Sequence, residues 1–154
     1  MSISKDELAA GIRFAGDRVI AAAIYCKDWD FQLGHQWTAR DAFSHVAATA
    51  PGLPHFYPLL EGGMLSGLGV SQVAASNAKS IHDIAQKSRE AVIDLIRSGQ
   101  EASAKFVESL DDEELQRVVT LGGYEMPKGE IVAQVWIQHA IAHAYEASAR
   151  WPLQ

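Results

Sequence analysis

The chain has 154 residues, of which 48% are hydrophobic and 21% charged, with a net charge of −6. That is enough apolar material for one domain, residues 1–154, with a real core, and it excludes an intrinsically disordered chain. The acidic balance, with Lys and Arg scattered singly, argues against a nucleic-acid partner, which needs a clustered basic surface. The single cysteine, Cys26, forms no intrachain disulfide and fits a reducing compartment. The start, Met1-Ser2-Ile3-Ser4-Lys5-Asp6-Glu7, has no apolar signal-peptide core, and no stretch approaches the roughly 20 apolar residues of a membrane span. These features predict a cytoplasmic protein with no membrane partner.

A first helix is expected over residues 4–26. Ser4 is its N-cap, Glu7 completes a capping box, and Leu8, Ile12, Ala15, Val19 and Ala23 follow helical spacing. Residues 27–36 lack a helical period and read as a loop. A second helix starts at Thr38, whose hydroxyl caps the backbone while Asp41 favours the positive helix end. Ala42, Phe43, Val46, Ala47 and Ala50 form its apolar side, and Pro51, Gly52 and Pro54 stop or kink it. The glycines of residues 55–75 (Gly62, Gly63, Gly67 and Gly69) indicate a short helical turn and then an apolar loop. Such a loop serves as a crossover connection or as a cover over a site.

One long helix is expected over 76–110, from the repeat of Ile81, Ile84, Ser88, Ala91, Val92, Leu95, Ala102, Phe106 and Leu110, with Gly99 weakening or bending it. Acidic residues 111–114 open the next turn. Val118-Val119-Thr120-Leu121, Gly122-Gly123 and Tyr124 suggest a small hairpin. The last helix is expected over 128–150 with Pro127 at its first position. It is apolar on nearly every side, which indicates burial between neighbours or across a dimer contact. Four helices, one long crossover and no repeat predict an all-α four-helix bundle.

That last helix carries His139 and His143, four residues apart and therefore on one face, with Cβ atoms about 6 Å apart. Two readings stand: two ligands of one metal ion, or two core histidines hydrogen-bonded to carbonyls or to each other. Gln134 and Gln138 mostly face elsewhere, so the helix offers few other groups to satisfy two buried imidazoles. The pair is not a metalloprotease motif, because Ala140 stands where H-E-x-x-H needs its glutamate. His45 lies two turns into the helix capped by Thr38. Three neutral imidazoles with an open coordination position are the recipe of a catalytic metal centre. Asp41, one turn before His45, orients that imidazole or simply caps its helix. Glu146 and Arg150 continue the face of the pair. Glu146 is either a carboxylate behind the metal ligands or the partner of Arg150 in a surface ion pair. His35 and His55 lack partner spacing, although His55 near Tyr57 could line a site mouth. His82 is expected in solvent, Trp37 and Trp136 as core anchors, and Cys26 as a small buried hydrophobe.

The segment Trp37-Thr38-Ala39-Arg40-Asp41…His45, followed in order by the late helix with His139-x-x-x-His143, resembles the DinB-like superfamily over nearly the whole chain. That superfamily includes the YfiT-like metal-dependent hydrolases and the N-terminal domains of mycothiol-dependent maleylpyruvate isomerases. The resemblance implies a four-helix bundle, often a homodimer, with a divalent metal held by His45, His139 and His143. Zn suits neutral imidazoles best, with Ni, Fe, Co and Mn open by ligand type. It further implies an enzyme that activates a low-molecular-weight thiol such as mycothiol or bacillithiol, as an S-transferase or isomerase, or activates water as a hydrolase, on a small-molecule substrate. A non-catalytic bundle that binds a metal or small ligand in a stress response is the expectation of a different class.

Overall fold

The computed structural model describes residues 3–34, 37–63, 65 and 70–149. Among them the fold is mostly helical with one two-stranded hairpin. Helix α1 is Lys5–Tyr25, α2 Ala39–Thr49, α3 Leu53–Phe56, α4 Val70–Ala85, α5 Arg89–Glu108 and α6 Asp112–Gln116. Strands β1 (Val118–Leu121) and β2 (Tyr124–Pro127) follow, then α7 (Lys128–Val132), a π-helical turn (Ala133–Gln138) and α8 (His139–Ala149). No helix among the described residues is long and apolar enough to cross a membrane.

Both predicted capping boxes form. Ser4 accepts from Glu7 N while the Glu7 carboxylate takes the Ser4 N–H, and Thr38 and Asp41 do the same at α2. Each box satisfies N–H groups that a helix start leaves without a partner. The apolar stripe of α1, Leu8, Ile12, Ala15, Val19 and Ala23, is wholly buried. α1 packs along α5 and α8, and α2 packs against α4, α5 and α8. The Arg89 guanidinium, at the start of α5, closes the C-terminal end of α1 by donating to the carbonyls of Ala23 (3.2 Å), Cys26 (2.6 Å) and Lys27 (3.2 Å). Cations at a helix C-terminus also complement its dipole.

Several expectations are corrected. The single helix over 76–110 is two helices, because Ser88 adopts extended backbone and its hydroxyl accepts from Ala91 N, starting α5 anew. Meanwhile α4 reaches back to Val70, into the expected apolar loop. Gly67 and Gly69 lie outside the described residues, so the cover role of that loop does too. The last helix is interrupted by a π turn over Ala133–Gln138, and Pro127 caps it rather than occupying its first position. Nor is that helix buried all round: Gln134, Gln138, Ala142 and Tyr145 make an exposed side. The hairpin stands as expected, and Gly122 and Gly123 take the positive φ values, +58° and +85°, that its two-residue turn demands.

Two features fix the end of α2. Pro54 has no N–H for the α-helical bond to the Ala50 carbonyl, and that carbonyl accepts from Ser103 Oγ of α5 (2.5 Å) and from the Trp136 indole (3.2 Å). Gly99 of α5 lies against the same corner: a Cβ there would stand 2.8 Å from Ala50 Cβ and from Pro51 N and Cδ. Elsewhere, the buried Lys128 pairs with Glu61 (2.8 Å) and Glu114 and lies 5.1 Å above the Tyr57 ring, tying α7 to the 57–63 segment.

Gly99→Ala therefore forces a methyl group against the Ala50 side chain and the Pro51 ring and nitrogen at the α2–α5 corner. We expect it to destabilise the protein by about 1–3 kcal/mol in chemical denaturation, the usual cost of overpacking, although alanine favours helix at an unconstrained site.

Candidate metal centre

His45 leaves α2 on the face that continues through Ala48 and Thr49, and His139 and His143 leave α8 on one side. Small residues let these helices approach: Ala42 and Ala47 of α2 and Ala140 and Ala144 of α8 are buried in one shared core cluster. The three imidazoles then converge. His139 Nε2 lies 2.9 Å from His45 Nε2 and 3.1 Å from His143 Nε2. The rings stand nearly perpendicular to one another, at 85°, 83° and 88°. Their ligand atoms make the one group of three or more potential metal ligands among the described residues.

Hydrogen bonding among the rings alone does not account for this arrangement. His139 Nε2 has two nitrogen neighbours, but a neutral imidazole nitrogen offers either one proton or one lone pair. His45 Nδ1 and His143 Nδ1 are buried without hydrogen bonds. A zinc-like cation with Zn–N bonds of about 2.0–2.1 Å spaces its nitrogen ligands about 3.3 Å apart, close to the separations seen here. The residues fit a divalent cation held by three neutral imidazoles.

Burial keeps the rings neutral. It pushes His45 and His143 down to about 4, with the neighbouring imidazoles adding repulsion, and it lowers His139 as well. For His139 a hydrogen bond to the backbone of Val135 works in the other direction. The π turn makes that bond available. In a regular helix His139 N–H would donate to Val135, four residues back; here it donates to Gln134, five back. The Val135 carbonyl is thereby left for the imidazole, whose Nε2 faces the other two rings. Fixing a ligand's tautomer through its second nitrogen is how proteins orient metal-binding histidines.

Around the centre, Glu146 Oε2 lies 3.4 Å from His143 Nδ1, near enough for charge interaction and too far for a good hydrogen bond. The Arg150 half of the alternative ion pair lies outside the described residues. The hydrogen bonds made by the Asp41 carboxylate go to Thr38 N (2.9 Å) and Oγ1 (2.8 Å), the cap, and not to His45. Trp37, expected as a core anchor, is half-buried and belongs to the site. Its ring stacks on His143 (5.6 Å, 5°) and meets His45 edge-on (5.4 Å, 87°). Its signal in the sequence was its place directly before the Thr38 cap. Trp136 is the buried anchor expected. His55 and His82 are exposed, and His35 lies outside the described residues. Cys26 is buried, its thiol donating to the Asp28 carbonyl (3.3 Å).

One side of the centre is open. A cleft of about 680 Å³ reaches His45 and His139, walled by Ala48 and Thr49 of α2, Phe56 of α3, Ser80 of α4, and Val135 and Trp136 of the π turn. That size is ordinary for a small-molecule site.

Without metal, the depressed imidazole pKa values make folding pH-dependent. Between the ordinary value of 6.5 and about 4 the unfolded chain binds more protons than the folded one. Stability of the metal-free protein is therefore full above pH 6.5 and falls progressively toward pH 4. Denaturant titrations at half-unit pH steps should show the loss beginning above 4.5, before the carboxylates contribute, and His143→Gln should reduce it.

No family model, curated protein or solved structure matches this chain.

Proposed function

We propose that this chain is a metal-dependent enzyme of the DinB-like type, a four-helix bundle formed by α1, α2, α5 and α8. The bundle reading is supported by their contacts, which run in a cycle: α1 with α5, α5 with α2, α2 with α8 and α8 with α1. The observation that carries the function is the convergence of His45, His139 and His143 through their Nε2 atoms beside an open cleft that two of them, His45 and His139, line. Among the described residues, no carboxylate or thiol joins these three ligands. A divalent cation, with Zn the best match to neutral imidazoles, supplies Lewis acidity there that lowers the pKa of a thiol or water molecule.

The chain's own residues do the rest. The Val135 carbonyl holds the proton of His139 on Nδ1 and so presents the Nε2 lone pair. Glu146, 3.4 Å from His143 Nδ1, places a negative charge behind that ligand and favours its electron donation to a cation. Trp37 covers His143 and His45 with an aromatic surface, and the cleft admits the substrate beside His45 and His139. The reaction class is transfer of a low-molecular-weight thiol to an electrophile, or hydrolysis.

The test is metal content followed by turnover. Elemental analysis after metal-replete expression should find about one divalent ion per wild-type chain and a small fraction of that in His139→Ala. Near-zero metal in both would overturn the reading. The loaded wild type should then consume an electrophile in the presence of one of a panel of thiols, or hydrolyse an activated ester, and His139→Ala should lose that activity at least 100-fold.

A further inference from the structure

The charge pattern of the cleft says what class of molecule it takes. Apart from His45 and His139, no ionisable side chain is among its described lining residues. Both walls come from stretches of sequence almost free of charge. Between Asp41 and Lys79 the only Asp, Glu, Lys or Arg is Glu61, and between Glu130 and Glu146 there is none. Glu61 is engaged by Lys128 and Arg117. The apolar surface is concentrated in Phe56 and Trp136, whose rings lie 5.5 Å apart, with Val135 and Ala48 beside them.

The polar groups of the walls are neutral, and several are already engaged. Thr49 Oγ1 donates to the His45 carbonyl (3.0 Å), the Trp136 indole N–H to the Ala50 carbonyl (3.2 Å), and the Gln134 amide reaches Glu130 (3.4 Å). A carboxylate or phosphate held against these walls, away from the histidines, would lose hydration and find no cationic side chain among the described lining residues, a large penalty. The net charge of −6 adds long-range repulsion. An aromatic or aliphatic group would instead exchange water for the Phe56 and Trp136 rings.

From this we infer that the walls of the cleft select an uncharged, aromatic or aliphatic small molecule over an anionic one. The inference rests on reading the cleft as the substrate's approach to the histidine centre. It deepens that reading by naming the substrate as a neutral, hydrophobic compound.

Calorimetric titration with the matched pair 2-naphthamide and 2-naphthoate tests it, using both protein as isolated and protein stripped of metal. The stripped protein keeps a carboxylate from scoring as a metal ligand. In it, naphthamide should bind at least tenfold more tightly than naphthoate. Phe56→Ala should weaken naphthamide at least fivefold, with unchanged circular dichroism as the check on folding. Ala48→Arg should bring a cation to the wall and improve naphthoate at least tenfold. Naphthoate binding as tightly as naphthamide to the stripped wild type, or neither binding, overturns the inference whatever the metal content. Protein that never takes up metal but retains the naphthamide preference instead overturns the metalloenzyme reading and leaves the cleft assignment intact.

Discussion

The Ala50 carbonyl is where the architecture and the site meet. Pro54 denies it an α-helical donor, and Ser103 and Trp136 supply donors from two other parts of the chain. This ties the end of the His45 helix to the middle of α5 and to the turn that precedes His139. An unpaired buried carbonyl costs on the order of 1–3 kcal/mol, so the three segments are held together by the cost of parting as well as by packing. Gly99, by having no side chain, lets α5 approach close enough for Ser103 to reach. His45 lies five residues before the junction and His139 three residues after Trp136. Their imidazoles therefore meet across a gap whose width is set at a point neither of them touches.

Much of this was readable from residue order. Ser4 with Glu7 and Thr38 with Asp41 announce their helices because a capping box is local chemistry, settled within four residues. The buried stripe of α1 was legible because it obeys one period from end to end. The break at Ser88 was not. Ile84 and Ala91 are seven residues apart, close to two helical turns, so the apolar phase runs across the interruption as though it were absent. Lys128 was equally hidden: a lysine at 1% exposure is intelligible only once Glu61 and Glu114 are brought to it from distant positions.

The site divides in the same way. The spacing of His139 and His143 is a property of one helix and could be read directly, and the cap at Thr38 drew attention to His45. That the three rings share a point is tertiary information, as are the part played by Trp37 and the proximity of Glu146 to His143. Asp41 shows the opposite lesson. One helical turn from a candidate ligand, it is held by the nearer claim of the backbone N–H and hydroxyl of Thr38. Local hydrogen bonds of this kind occupy the carboxylate and leave little for a longer-range role.

The π turn has a consequence for how this helix tolerates being made regular. A π turn accommodates one more residue per turn than the α-helix around it, so the segment Ala133–Gln138 holds a residue that a regular helix would not. Winding the same residues into an uninterrupted α-helix would give the locally more regular form. That rewinding, with no residue removed to compensate, would turn every residue beyond the segment by about 100° relative to Val132, carrying His139, His143 and Glu146 together away from His45. A helix improved by that measure would keep its composition, its burial pattern up to Val132 and its two histidines at their spacing, yet would have no common point for three imidazoles. The irregularity is thus a phase setting, and the better helix is the one that dismantles the site.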